Sequence, residues 1–590
     1  MTTGLRLVSS MSRAGARVMV VTAVLVAVMA LTVAMPWNNY YLALLTQAAA
    51  WAIAAYGLVV VIGYAGQISL AQATFFGVGA YAVGIGCVTY HVEFWIASLI
   101  GVALAAALGT ILGMAALRVG GHYLAMVTIS FQIVFGLFLV NQLNFTQGPN
   151  GINGIPRAPL GPISVDDNHR YLVFCVFALY AVGGLVWALS RTRTGRAMRA
   201  LRENELAAEV IGIPTYIVKV EAFVLSAILG ALGGILYAGS YSFISPDDFS
   251  FSQSILFMAM TLLGGAQSVF GTALGALLVA FLPEWLQFIQ TGYLAVYGLA
   301  LIVFMVVMPE GIWGFLESVT QRVIRFPAAK IPTVGAHEFG HRAVQSDLVL
   351  EARGVGKRFG GLKALDSVDL VVRRGEVHAL IGPNGSGKTT LLNVVSGIYS
   401  PNSGEVWLDG RRVSGRRPHQ IARAGLARTF QLIRLMKSET VLENVLVGVQ
   451  VTPRNMASES PLRLRAISAL ELVGMAQMAH LPVKTLPYGH QRLVEIARAL
   501  ATMPAVLLLD EPAAGLNHSE KQKLIDLIAR FRRESLTVVL IEHDMELVRR
   551  VSDTVTVLNF GKKIAEGQPA EILRDPAVQE AYLGVKHGAT

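Results

Sequence analysis

The stretch VHALIGPNGSGKTTLLNVVSG, residues 377–397, decides the fold of the second half of this chain. Its first five residues form an apolar run that reads as a buried strand. Gly382-Pro383-Asn384-Gly385-Ser386-Gly387-Lys388-Thr389-Thr390 follows, a full G-x-x-x-x-G-K-[ST]. LLNVVSG then continues with a helical pattern, which is the strand–loop–helix setting the motif requires. The glycines let backbone N–H groups wrap phosphates, and the helix N-terminus adds a favourable dipole. Lys388 is placed to neutralise β/γ-phosphate charge, and Thr389 to ligate Mg²⁺. ATP and Mg²⁺ are therefore the expected cofactors, held by residues 382–390.

Working outward, VLLLD (506–510) is a second buried apolar strand, ending in Asp510 with Glu511 next. An Asp at a strand end near a phosphate loop can hold Mg²⁺, and the adjacent Glu can activate the attacking water. VVLIEHD (538–544) brings His543 after a third strand, where a γ-phosphate sensor belongs. Residues 347–590 alternate short β-rich runs with helical patterns, which predicts an α/β domain with a mainly parallel sheet.

The first half has a different solvent. The chain has 590 residues, and only 24 of the first 320 are Lys, Arg, Asp or Glu, against 62 of the last 270. Apolar runs of bilayer-spanning length are expected at about 18–35, 42–63, 72–90, 94–117, 122–141, 171–190, 217–240, 251–264, 269–288 and 293–308. That is about ten spans, with 251–264 short enough to be re-entrant or tilted. The first run follows Arg6, Arg13 and Arg17 and lacks a small-x-small cleavage site, so it reads as an uncleaved anchor. Arg118, Arg191, Arg193, Arg196, Arg199 and Arg202 fall on the same side as the N-terminal tail, against Arg157 and Arg170 opposite. The positive-inside rule then leaves residues from 310 onward in the cytoplasm. Cys87 and Cys175 lie in apolar stretches and form no disulfide framework. The net charge of +10 falls in the second part and needs no nucleic-acid partner to explain it.

Gly77, Gly79, Gly84 and Gly86 would let helices approach closely. Gln67, Ser69, Gln72, Thr74, Thr128, Ser130 and Gln132 serve either as a path for a polar solute or as interhelical hydrogen bonds, the commoner use. No ionisable residue is placed mid-span, since Glu221 and Glu284 lie nearer helix ends, so a proton relay is not indicated. Residues 316–346 read as a linker. Inside them His337-Glu338-Phe339-Gly340-His341 matches the zinc-protease pattern H-E-x-x-H. The surroundings argue against that reading: no third ligand follows, no protease-sized domain encloses it, and a strand pattern begins within ten residues.

Residues 347–590 resemble the ATPase of ABC transporters, and closely the ATP-binding subunit for branched-chain amino-acid uptake. The resemblance makes Gln431 in RTFQLIRL the Q-loop residue, a Mg²⁺ ligand as well as a catalytic group. It places the Phe359 ring against adenine and makes DEPAAGLN a D-loop ending at Asn517 where many relatives have Asp. LPYGHQRLVEIARAL (486–500) occupies the signature position. Leu486, Pro487, Tyr488, Gly489 and His490 stand for the common Leu-Ser-Gly-Gly-Gln, so the serine is missing and Gly489 remains to bind phosphate. VIGYAGQISLAQATFFGVGAYAVG, GALGGILYAG, SPDDFSF and LLGGAQSVFGTALGA resemble permeases for branched-chain amino acids over roughly 40–315. GRAMRALRENELAAEVIGI (195–213) resembles their coupling loop, which docks on the ATPase.

The expected organisation is a polytopic α-helical permease domain (1–315), a linker (316–346) and an ABC ATP-binding domain (347–590). The resemblance implies a multi-pass protein of the bacterial inner membrane that couples ATP hydrolysis to solute uptake. It further implies membrane lipid, a periplasmic solute-binding protein, a second permease subunit and a second ATPase, with a heteromer favoured over a homodimer. Related permeases take urea, short amides or aromatic acids, and an exporter is the remaining alternative of this class.

Overall fold

A computed structural model of the chain describes residues 38–116, 121–159, 167–286, 293–308, 310–323, 346–452 and 459–583. The expected first span at 18–35, Arg6, Arg13, Arg17 and Arg118, and the His337-Glu338-His341 motif lie outside them. The chain divides into two compact units. One joins Met1–Arg202 to Tyr216–Ala329; the other joins Glu203–Thr215 to Lys330–Thr590.

The first unit is helical. Among the described residues seven helices are long and apolar enough to cross a membrane: Asn39–Tyr64, Gln72–Thr89, Phe94–Ala115, His122–Asn141, Asn168–Arg191, Thr215–Tyr241 and Val269–Leu286. Phe251–Gly264 and Tyr293–Val307 are shorter, 14 and 15 residues. At 1.5 Å per residue neither covers a ~30 Å hydrocarbon core unaided. These nine fall on the nine expected runs from 42–63 onward. Asn39–Tyr64 and Thr215–Tyr241 are the most enclosed, whereas His122–Asn141 and Asn168–Arg191 turn most of their apolar surface outward, as lipid-facing helices do.

Close backbone approach explains the small residues. A Cβ on Gly79 would fall 2.1 Å from the Ala231 carbonyl oxygen, and one on Gly234 only 1.8 Å from that of Phe76. Helices 72–84 and 215–241 therefore touch backbone to backbone. The buried polar residues bind across helices. Gln132 Oε1 accepts from the Thr74 amide at 2.8 Å, the Thr74 hydroxyl at 2.7 Å and the Ser254 hydroxyl at 3.2 Å, while its Nε2 donates to Phe249 O at 2.7 Å. Gln72 Nε2 donates to Ala54 O, and its Oε1 accepts from Ser226 Oγ. The interhelical use of Gln72, Thr74 and Gln132 is the one observed. Strands β1 (Ile152–Asn153) and β2 (Phe243–Ile244) pair antiparallel between two loops. A helix, Gly311–Val323, crosses the 315/316 boundary drawn from the sequence. Its Trp313 ring lies 5.5 Å from Phe270, so the helix is anchored to the membrane unit from before that boundary.

In the second unit β3 (Leu348–Phe359), β4 (Leu362–Arg373), β5 (Val377–Ile381), β6 (Ser403–Leu408), β7 (Arg411–Arg412), β8 (Leu426–Arg428), β9 (Val506–Asp510), β10 (Thr537–Ile541), β11 (Thr554–Asn559) and β12 (Lys562–Gly567) form two sheets. One has the order β12-β11-β5-β10-β9-β8. It is parallel except for the edge strand β12. Every residue of β5, β9 and β10 is buried, as parallel strands covered on both faces require. The other sheet, β4-β3-β6-β7, is antiparallel and was not part of the sequence expectation. Its signal is the Gly360-Gly361 pair, a two-residue hairpin turn that leaves Phe359 opposite Leu362.

Candidate functional site

The C-terminal ends of β5, β9 and β10 lie side by side, with Ile541 in register with both Leu380 and Asp510. Ligands of open α/β sheets bind at this edge, and each strand delivers a predicted group there. β5 leads into residues 382–387, and the helix Lys388–Val395 follows with Gly387 at its N-cap. Gly382, Gly385 and Gly387 have φ of 147°, 80° and 102°, values that side chains strongly resist. Pro383, Asn384 and Gly385 form the outer part of the loop and Ser386 is buried. Thr389 is exposed, with Thr390 after it in the first helical turn. Lys388 Nζ donates to Gly382 O at 2.7 Å and Pro383 O at 2.9 Å. Burial lowers the Lys388 pKa, while the nearby Glu511 and Asp510 carboxylates oppose that shift. A cation curled onto its own loop beside two carboxylates fits a site built for phosphates.

Asp510 Oδ2 accepts from Arg428 at 2.9 Å, and both side chains are buried. Arg428 also donates to Asn393 Oδ1 and Ser396 Oγ, so it ties β8 and β9 to the helix behind the phosphate loop. Glu511 has φ 46°, an uncommon left-handed conformation held by the hydrogen bond its backbone N–H donates to Ile541 O at 3.0 Å. Gln431 Nε2 donates to Glu511 Oε2 at 2.9 Å. Glu542 Oε1 accepts the Ala513 amide, and Oε2 the amide of exposed His543. Burial raises the Glu542 pKa. Phe359 is partly exposed, its ring edge-on to Tyr399 at 5.1 Å. Among the described residues no group of three or more His, Cys, Asp or Glu side chains is placed to hold a metal alone. A Mg²⁺ site that borrows phosphate and water oxygens needs none.

Gly489 lies in the first turn of the helix Tyr488–Leu500, after Pro487, which gives it no side-chain cap. A Cβ there would fall 2.3 Å from Glu520 Oε1. Asn517 caps the helix His518–Arg533 and exchanges hydrogen bonds with Glu520, a role Asn fills as well as Asp. Arg492, which the sequence reading missed, donates to Phe430 O at 2.6 Å and Gln431 O at 2.8 Å while pairing with Glu495. The signature helix is thus fastened to the backbone of the Q-loop.

The coupling segment is two helices, Arg193–Glu203 and Glu205–Val210, broken at Asn204. Asn204 Oδ1 accepts from the Ala207 amide and from Arg434, both at 2.8 Å. Ala207 and Val210 pack on Phe430, whose ring also faces Arg434 at 4.8 Å. Glu209 Oε1 is 3.5 Å from His419 Nδ1. Burial, with Arg423 and Arg417 nearby, lowers the His419 pKa. Phe430 thus touches the coupling helix while its neighbour Gln431 touches Glu511.

Fold and site together define an ABC-type ATPase in one polypeptide with a polytopic membrane domain. Residues 40–308 match the family "Branched-chain amino acid transport system / permease component", 365–514 match "ABC transporter", and 562–588 match "Branched-chain amino acid ATP-binding cassette transporter". The chain is 45% identical over 249 residues to the high-affinity branched-chain amino acid transport ATP-binding protein BraF of Pseudomonas aeruginosa. That alignment covers 40% of this chain and 98% of BraF. It is 42% identical over 252 residues to LivG of Escherichia coli, a protein of the same description, covering 40% of this chain and 99% of LivG. The chain belongs to the ABC transporter family, to its branched-chain amino acid transport group, with permease and ATP-binding components fused. It is a multi-pass membrane protein with a cytoplasmic ATP-hydrolysing domain.

Proposed function

We propose that this chain supplies one permease half and one ATPase of an importer for branched-chain amino acids. The observation that carries the reading is a cassette 45% identical to BraF over nearly all of that protein, in one chain with a branched-chain permease region.

In the proposed mechanism Lys388 leaves the carbonyls of Gly382 and Pro383 for the β- and γ-phosphates, and the amides of 382–390 wrap them. Phe359 stacks on the base. Thr389, Asp510 and Gln431 would hold Mg²⁺, which would supply positive charge against the phosphates. Glu511 takes the proton of the attacking water, and His543 contacts the γ-phosphate. Any rearrangement of Gln431 as it leaves Glu511 moves Phe430, and with it the 205–210 helix, which links nucleotide state to the membrane helices through differential contacts.

One phosphate loop and one signature do not make a closed ATP sandwich, so a second cassette supplies the signature facing Lys388. A heteromer with a different permease and a different ATPase is favoured, with Gly489 of this chain serving the partner's site. A periplasmic binding protein delivers solute and lipid surrounds the outward helices. The reading is tested by purifying the chain with its co-encoded partners in proteoliposomes. Leucine, isoleucine or valine, presented by the binding protein, is expected to stimulate ATPase and to accumulate. Stimulation only by urea, amides or aromatic acids would reject the solute; a two-copy particle transporting unaided would reject the heteromer.

A further inference from the structure

The last described helix is Pro576–Leu583, within the 562–588 family match and outside the predicted ATP-site residues. Val578, with Ile572 before the helix, packs in a buried cluster with Ala379 and Ile381 of β5 and Val555 and Val557 of β11. The segment is therefore fixed to the strand that carries the phosphate loop. From there the Tyr582 hydroxyl accepts the backbone N–H of Gly382 at 2.8 Å.

Gly382 is buried and is held from three directions. Its φ is 147° and a Cβ would lie 2.1 Å from the Leu558 carbonyl oxygen. Its own carbonyl accepts from Lys388, and its N–H goes to Tyr582. A buried amide without a partner is destabilised by the full cost of its desolvation. Removing the hydroxyl would free the residue at which strand becomes loop, two bonds from the carbonyl that orients Lys388.

We infer that Tyr582 is a positioning residue for nucleotide binding, whose hydroxyl fixes the first residue of the phosphate loop in the geometry that receives the β- and γ-phosphates. The inference rests on the ATP-site reading above and is independent of which solute is carried. It makes the C-terminal segment part of the ATP site although that segment touches no nucleotide itself.

The test is steady-state ATPase of the assembled transporter with Tyr582→Phe, which keeps the ring and removes only the oxygen, beside Tyr582→Leu. Tyr582→Phe is expected to raise KM for ATP about three- to tenfold, the worth of one hydrogen bond. Its kcat should stay within about twofold, while the unpaired Gly382 amide lowers the melting temperature modestly, less than loss of the whole ring in Tyr582→Leu does. A KM in Tyr582→Phe equal to the parent's overturns the inference. So does a KM that rises only in Tyr582→Leu, since that assigns the helix a structural role alone. Absence of ATPase in the unaltered transporter would instead overturn the underlying ATP-site reading.

Discussion

Gln431 and Glu511 are joined side chain to side chain at 2.9 Å, across 80 residues of sequence. Glu511 is held at φ 46° by the end of β10, so its carboxylate has a fixed origin while its partner sits on a loop. A base so placed is available once Gln431 turns away. Glu511→Gln removes the proton acceptor but preserves shape. Turnover is expected to fall at least about 100-fold, the usual range for a general base, with nucleotide affinity nearly unchanged. Steady-state ATPase and a nucleotide titration on the assembled transporter measure both, and near-normal turnover would refute the role.

Arg428 and Asp510 form a buried ion pair at 2.9 Å. Removing one partner of such a pair leaves an uncompensated charge, costing about 3–5 kcal/mol. Arg428→Ala is expected to destabilise the cassette by that order, seen as a lower melting temperature, and to weaken Mg²⁺-dependent nucleotide binding. A variant that melts within a degree or two of the parent would show that Asp510 needs no such partner.

Legibility followed local chemistry. The phosphate loop, Asp510 and Glu511 were readable because each ends a continuous apolar run, and a strand's end is visible in one dimension. Arg428, Arg492 and Tyr582 were not, because their partners are backbone or side-chain atoms tens to hundreds of residues away. The helix Gly311–Val323 was missed at the linker boundary for a related reason: its Trp313 packs on Phe270, and that contact has no signature in a short window. The span pattern survived because bilayer length constrains each run separately.

Asn204 and Arg434 connect coupling helix and cassette by one hydrogen bond, beside the Phe430 contact. Arg434→Ala removes the bond and the cation over Phe430 without touching the phosphate loop. Uptake per ATP hydrolysed is expected to fall about two- to thirtyfold, the span of typical coupling energies, while basal ATPase changes little. Parallel loss of both activities would instead assign Arg434 a structural role.

Glu542 gives a pH dependence with a definite sign. Burial raises its pKa, opposed by the amides of Ala513 and His543. The folded state then binds the proton more tightly than the unfolded one. This contribution to stability is complete below the unfolded pKa and is lost as pH rises through the folded pKa. Glu542→Gln cannot ionise and keeps an acceptor for Ala513. It is expected to melt higher than the parent at pH 8, with the gap closing toward pH 4.5. Melting curves at both pH values check this; an equal gap at each would show that ionisation of Glu542 is not the cause.

The membrane orientation rests on arginine placement. Arg191, Arg193, Arg196, Arg199 and Arg202 cluster in one loop and the next helix, against Arg157 and Arg170 on the other side. The short β1–β2 pairing joins two loops that this rule puts outside together: Asn153 is opposite Phe243, and the two loops lie on the same face of the helical unit. Asn153 and Glu203 are both exposed, so a difference in labelling between them reports side rather than burial. With Cys87 and Cys175 replaced, a cysteine at Asn153 is expected to react with an impermeant maleimide in intact cells. A cysteine at Glu203 should react only after the membrane is opened. The reverse pattern would invert every loop and put the ATPase outside, where it has no nucleotide, and so would reject an even number of spans before residue 310.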